Sequence, residues 1–71
     1  MVQDVFIKDE YIKLDSFLKW VGEASSGSEA KEIIANGFVK ICNEICFLRG
    51  KKLYPSTIVC VGDSEYRVMK K

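Results

Sequence analysis

The sequence contains no histidine, so the side chain most often used as a general base is missing. Neither Asp15 nor Asp63 has a recognisable catalytic spacing, and we expect no enzyme. Cys42, Cys46 and Cys60 cannot supply four thiolate ligands to zinc. We therefore expect no metal and no cofactor, and cysteines that pack as small apolar side chains. A metal- or thiol-responsive regulator is the less favoured alternative.

Long apolar runs are also absent, since none approaches the ~20 residues that span a bilayer. Charged residues recur through residues 1–13, which leaves no apolar core for a signal peptide. An odd number of cysteines without such a signal favours a reducing compartment. We expect a soluble, cytoplasmic protein with no membrane partner. Its 71 residues suffice for one hydrophobic core, so a single domain over residues 1–71 is predicted.

Strong net charge is the third absence: the formal value is +1, which argues neither for nor against a polyanionic partner. The placement of charge is more informative. Between Phe38 and Tyr54 four cations stand against the single carboxylate of Glu44, whereas residues 9–32 lean acidic. Positive charge is therefore concentrated in one part of the chain. The four cations are Lys40, Arg49, Lys51 and Lys52.

Hydrophobic periodicity predicts two short helices. Apolar residues from Leu14 to Val21 recur at i, i+3, i+4 and i+7, and Gly22 ends this first helix. Ser26 and Glu29 have the spacing of a capping box, in which each side chain accepts a hydrogen bond from a backbone N–H. A second helix is expected from about Gly27 to Asn36. The apolar positions of the first helix are Leu14, Phe17, Leu18 and Val21.

Strands are predicted on both sides of these helices. Residues 5–7 read as an edge strand, and after Gly37 the apolar period changes to two, which favours a hairpin through residues 39–47 that turns at residues 42–44. A basic loop follows over residues 48–54, then a central strand at residues 58–61 and a last strand holding Tyr66 and Val68. The predicted class is α+β, with two short helices packed on a small, mainly antiparallel sheet.

Two features suggest anion binding. Ser26, Gly27 and Ser28 stand at the start of a helix, where free N–H groups attract phosphate. Arg49, Lys51 and Lys52 form a cationic loop suited to an irregular phosphate backbone, although such a run can also be merely solvated. Among the aromatic residues, Tyr54 beside that loop is the best candidate for ligand contact. We expect the others, Tyr11, Trp20 and Tyr66, to fill the core, and the terminal Lys70 and Lys71 to fray.

Several residues at fixed spacing resemble the S-four domain, the alpha-L RNA-binding motif. Lys13, Leu14 and Asp15 are similar to the Arg-Leu-Asp opening of its first helix, and the family pattern S-x-x-x-A-x-x-x-I-x-x-G-x-V-x-V is met further along. The version here is most similar to short stand-alone bacterial members. The residues that match the pattern are Ser26, Ala30, Ile34, Gly37, Val39 and Ile41.

This resemblance implies that the domain binds structured RNA, with ribosomal RNA the expected class, and takes no small-molecule substrate. It further implies an RNA surface built from the start of the first helix, the start of the second and the cations nearby. The alternative is a protein-interaction module that kept the fold without RNA binding. The implied RNA-binding residues are Lys13, Asp15, Ser26, Gly27, Lys31, Arg49, Lys51 and Lys52.

The chain departs from the family pattern at three places. The usual Val-Asn-Gly turn is Ile41, Cys42 and Asn43, and the usual Pro-Gly-Asp is Pro55, Ser56 and Thr57. Without its glycine, we expect the hairpin to turn differently. Gly27 stands where many members carry Arg, so one phosphate contact is expected to be missing. Backbone N–H groups and Lys31 would then have to make more of the contact with phosphate.

Overall fold

The computed structural model describes residues 2–71, which form two helices and seven strands. Both helices lie where periodicity and capping predicted them, and the second ends at Ala35, with Asn36 as its C-cap. The elements are β1 (Val2–Ile7), β2 (Ile12–Lys13), α1 (Leu14–Trp20), α2 (Gly27–Ala35), β3 (Val39–Ile41), β4 (Glu44–Ile45), β5 (Lys52–Leu53), β6 (Ile58–Val61) and β7 (Ser64–Lys70).

Five strands form the main sheet in the order β1-β7-β6-β3-β4, so β6 is central and β1 lies at an edge, as predicted. Only β1 runs parallel to its neighbour, and the other pairs are antiparallel. This confirms an α+β fold with a mainly antiparallel sheet. The predicted hairpin is shorter than expected, because β4 ends at Ile45 rather than at Phe47.

The predicted basic loop contains a strand that periodicity did not reveal. Lys52 and Leu53 form β5, which pairs antiparallel with Ile12 and Lys13 of β2 in a separate two-stranded sheet. The loop prediction was therefore wrong at these residues. Leu53 is fully buried, so its burial anchors the segment to the core.

The core lies between the apolar faces of the helices and the sheet. Leu14, Phe17 and Leu18 on α1 are fully buried, as their spacing predicted. Trp20 is 67% exposed, so the prediction that it fills the core was wrong. Its position on α1 lies outside the stripe of the buried residues, and at 3.6 residues per turn it faces away from them. Other fully or nearly fully buried residues are Ala30, Ile34, Val39, Val59 and Val68.

The two turns that lack the family's glycine keep a backbone that glycine favours. Cys42 and Asn43 join β3 to β4 with φ of 51° and 72°, the two positive angles that a type I′ turn requires. At the second turn the Thr57 amide donates to the Tyr54 carbonyl at 3.1 Å, and Ser56 has φ of 78°. Proline followed by a positive φ is typical of a type II turn. Both turns therefore hold non-glycine residues in the left-handed region.

The two ends of the described chain are joined through the main sheet. Val2–Ile7 pairs in register with Glu65–Lys70, and the Lys71 amide donates to the Ile7 carbonyl at 2.9 Å. The expectation that Lys70 and Lys71 fray was therefore wrong. Among residues 2–71, no helix has the length and apolar character needed to cross a membrane.

Tyr66 connects the sheet to the helices. Its ring is buried and meets the Phe17 ring edge-on, with centroids 5.7 Å apart. Its hydroxyl donates to the Glu23 carboxylate in the segment between the helices. This hydrogen bond, together with burial, raises the pKa of Tyr66 above its ordinary value, although a hydrogen bond with Ser64 acts in the opposite direction.

Replacing Ser56 by glycine should stabilise the domain. A left-handed residue other than glycine costs about 1–2 kcal/mol, and the greater freedom of glycine when unfolded returns part of this, so we expect a net gain of about 0.5–1 kcal/mol. Chemical denaturation of Ser56→Gly measures the change. The matched control is Ser28→Gly in α2, where the same substitution should destabilise; equal effects at both sites would contradict the argument.

Replacing Tyr66 by phenylalanine should cost about 1 kcal/mol, because the hydrogen bond to Glu23 is lost while the ring packing remains. The raised pKa means that the neutral hydroxyl stabilises the fold fully below the unfolded value of about 10, and this contribution is lost as pH rises through the folded value. The stability difference between wild type and Tyr66→Phe should therefore shrink above that pH. Denaturation curves at several pH values test it, and a constant difference would refute the assignment.

Candidate nucleic-acid interface

The start of α1 is hydrogen-bonded to the predicted basic loop. The Leu14 amide donates to the Lys51 carbonyl at 2.9 Å, and the Asp15 amide donates to the Arg49 carbonyl at 3.1 Å. The first amides of a helix lack partners inside it, and the Lys13 side chain makes no capping hydrogen bond. The loop carbonyls therefore cap this helix, and the same bonds fix the loop beside Lys13.

Lys13 and Lys52 stand directly opposite each other across the β2–β5 ladder. Side chains at opposite positions share one face of a sheet, and like charges there are destabilising. Together with Arg49 and Lys51 they make an exposed group, which we call the cationic cluster (Lys13, Arg49, Lys51 and Lys52). Such repulsion is relieved when an anion binds between the charges.

No carboxylate within residues 2–71 forms an ion pair with the cationic cluster. The ion pair found within residues 2–71 joins Arg67 on β7 to Asp4 on β1 at 2.8 Å, and Asp4 raises the pKa of Arg67. Asp15 lies beside the cluster, but its carboxylate accepts a hydrogen bond from the Ser16 amide at 2.8 Å. The cluster is therefore open to an external anion.

Two tyrosines border the cationic cluster. The Lys52 ammonium lies 5.0 Å from the Tyr11 ring centroid, and the rings of Tyr11 and Tyr54 pack at 5.7 Å with a 52° tilt. Tyr54 is 50% exposed, in agreement with the prediction that it remains available for contact. Tyr11 is half-buried rather than a core residue. Tyr11 lies near Lys52 because the β2–β5 ladder, which was not predicted, brings their two segments together.

The start of α2 is capped differently from the prediction. The Ser26 hydroxyl accepts a hydrogen bond from the Glu29 amide at 3.2 Å, as expected. The Glu29 carboxylate, however, accepts from the Ser25 amide and the Ser25 hydroxyl instead of the Ser26 amide. This places a negative charge at the first turn of α2, the positive end of the helix. An anion is therefore less favoured here than at the cationic cluster.

Five of the eight predicted RNA-binding residues are brought together by the loop bonds and the short ladder: Lys13, Asp15, Arg49, Lys51 and Lys52. The other three are exposed: Ser26 is the N-cap of α2, and Gly27 and Lys31 lie on α2, which packs against α1. Within residues 2–71, no hydrogen bond or ion pair joins them to the loop. The RNA-binding role of all eight residues stays a prediction.

The three cysteines are free. Cys46 packs against the core, which agrees with an apolar role, whereas Cys42 lies exposed in the hairpin turn, where that expectation was wrong. Over residues 2–71, no three side chains of the metal-binding types are grouped together.

The domain thus consists of two helices on a mainly antiparallel sheet, with exposed cations gathered at the start of the first helix. The family model of the S4 domain matches residues 5–69. The chain therefore belongs to the S4 domain family, whose members bind RNA, and RNA binding is supported as its general function.

One similar solved structure is the 30S ribosomal protein S4e from Thermoplasma acidophilum, with 22% identity and a TM-score of 0.64. The match covers 84% of this chain but only 32% of that protein, so the likeness concerns the fold of one part of it. No curated protein matches the chain.

Introducing arginine at Gly27 tests whether α2 belongs to the interface. A Cβ at this position would meet no atom within 4 Å, so the fold should accept the side chain. If α2 faces RNA, Gly27→Arg should tighten binding by about threefold to tenfold and add about one to the salt slope, as one more phosphate contact does. Titration of labelled RNA at several salt concentrations measures both. Ala35→Arg adds the same single positive charge at the exposed end of α2; an equal gain from it would assign the effect to net charge.

Proposed function

We propose that the domain binds structured RNA, with ribosomal RNA the expected class, through phosphate contacts made by the cationic cluster. The observation that carries the proposal is the pair of hydrogen bonds from the start of α1 to the carbonyls of Lys51 and Arg49. These bonds fix the loop backbone that carries Arg49 and Lys51 beside Lys13. A preorganised group of cations loses less conformational entropy when it binds a phosphate backbone.

The proposed mechanism is recognition of shape. Lys and Arg contacts to phosphate position a protein on RNA without reading base edges, and double-stranded RNA is recognised largely through its backbone geometry. Lys13 and Lys52 on the ladder, with Arg49 and Lys51 on the adjoining loop, would contact phosphates spaced along a folded strand. Ser26, Gly27 and Lys31 on α2 would extend the contact.

The ribosomal assignment is supported by the similar solved structure, which is that of a ribosomal protein. We propose a cytoplasmic, bacterial, single-domain protein over residues 1–71 that binds without catalysing a reaction. Its action would then be to occupy a folded RNA site. Ribosome assembly is one setting in which such binding is useful.

Reversing two charges of the cluster tests the proposal. Lys51→Glu combined with Lys52→Glu should weaken binding to folded RNA at least about tenfold and lower the salt slope by about two. The fold should persist, because an acidic residue at position 52 forms an opposite-charge pair across from Lys13.

The matched control reverses Lys40 and Lys70, exposed cations on β3 and β7 of the main sheet. This control has the same change in net charge, and its affinity should fall much less. Equal losses in the two double variants would show that only overall charge matters and would overturn the proposed site.

A second candidate function, protein interaction, is favoured by an apolar patch at the hairpin. Phe47 and Leu48 are 64% and 67% exposed, and Ile45 lies beside Phe47 near Gly37. Exposed apolar groups in contact mark interaction sites when they form a continuous surface. Recovery of partners from lysate with and without RNase distinguishes the functions: protein partners that survive RNase and are lost with Phe47→Asp favour this candidate.

A further inference from the structure

A cleft lies between the end of β1 and helix α1, beside the cationic cluster. Its volume is about 610 Å³, within the range of small-molecule sites. Three aromatic side chains line it, and they come from β1, the segment before β2, and α1. We call it the aromatic cleft and define it by Phe6, Tyr11 and Trp20 together with Lys8, Lys13 and Lys71.

Phe6 and Trp20 expose their rings to solvent and do not belong to the core. Phe6 is 52% exposed, because it alternates on β1 with half-buried Val5 and buried Ile7 and so faces away from the core. Trp20 is 67% exposed for the helical reason given above. Two large rings from separate elements therefore meet the same open space without packing into the core.

The charge in the aromatic cleft is mostly positive. The side chains of Lys8, Lys13 and Lys71 line it against one side-chain carboxylate, that of Asp9. Lys71 is held there, because its amide donates to the Ile7 carbonyl at 2.9 Å. A ligand that satisfies this lining needs a flat apolar surface and a negative charge.

A nucleotide combines these two properties. Unpaired bases stack on aromatic side chains, while lysines beside them neutralise the phosphates of the strand. An apolar peptide would use the rings but leave three ammonium groups without partners. The chemistry of the lining therefore favours a single-stranded nucleic acid over an apolar protein segment.

The aromatic cleft is continuous with the cationic cluster. Lys13 belongs to both, and Tyr11, which lines the cleft, contacts Lys52 and Tyr54. A strand that leaves a duplex held at the cluster thus meets the cleft next. A depression on the other side of Phe6 and Trp20 is lined by no lysine or arginine of residues 2–71, so it offers a phosphate no cation from that part of the chain.

We infer that the aromatic cleft binds an unpaired nucleotide in a single-stranded segment that adjoins the structured RNA. The base stacks on Trp20 and Phe6, and its flanking phosphates lie against Lys8, Lys13 and Lys71. This inference rests on the proposed RNA-binding function and extends it from duplex shape to a junction between paired and unpaired RNA.

The single tryptophan of the chain reports on this contact. Titration with an eight-nucleotide oligouridylate should quench Trp20 fluorescence, because a stacked base contacts the indole, whereas a blunt RNA duplex of equal length should quench it far less. Phe6→Ala should weaken the oligouridylate affinity about tenfold, as expected for loss of one stacking partner. Trp20→Ala, followed by anisotropy of a labelled oligonucleotide, should show a similar loss.

The matched control is Phe47→Ala, which removes an exposed phenylalanine ring from the hairpin patch and should leave oligouridylate binding unchanged. Absence of quenching, or equal affinities for Phe6→Ala, Phe47→Ala and wild type, would overturn the inference. A Trp20 signal that follows protein concentration and not oligouridylate would assign the cleft to a second copy and would also overturn it.

A second experiment tests the proposed function independently of the aromatic cleft. Binding of a hairpin RNA without unpaired flanks measures the cationic cluster, and the double reversal of Lys51 and Lys52 should abolish most of it. If that hairpin binds normally while oligouridylate does not quench Trp20, only the aromatic cleft is refuted. If the hairpin fails to bind while oligouridylate quenches, the structured-RNA function is refuted and the cleft stands as a single-strand site.

Discussion

The backbone hydrogen bonds from Leu14 and Asp15 to the carbonyls of Lys51 and Arg49 link the folding of this domain to its candidate interface. Helix α1 has only seven residues, and a helix this short is unstable in water without tertiary support. Its first amides also need acceptors. The loop supplies these acceptors, so the interactions that cap the helix also position the cationic side chains.

The placement of two lysines opposite each other lowers the stability of the domain. Lys13 faces Lys52 across the two-stranded sheet, although each position would be more stable opposite an acidic residue. Asp15 lies beside these lysines without forming an ion pair with them, while Asp4 pairs with Arg67 and Glu29 accepts hydrogen bonds from Ser25. A chain with a formal charge of +1 thereby presents a local positive surface. Net charge is a poor guide to binding when its distribution is this uneven.

Local features of the fold could be predicted from the sequence, because helix periodicity and capping act over a few residues. The buried stripe of α1 and the Ser26 cap are examples. The β2–β5 ladder could not, since two residues per strand give no period and the partners lie far apart in the chain. Five of the predicted site residues lie around that ladder. The sequence suggested each of them singly, but it did not show that they lie close together. The exposure of Trp20 could have been predicted, because its position on the helix lies outside the apolar stripe.

The departures from the family pattern act on two different free energies, that of folding and that of RNA binding. At Asn43 and Ser56 the backbone keeps positive φ, so the loss of glycine lowers stability and leaves the shape of the surface intact. At Gly27 the backbone is an ordinary helix start, and what is missing is a charged side chain. A lost phosphate contact weakens the salt-dependent part of RNA affinity. Stacking on Phe6 and Trp20 would supply energy that depends less on salt, so the inferred cleft offers a physical reason why this member can bind RNA with fewer cations.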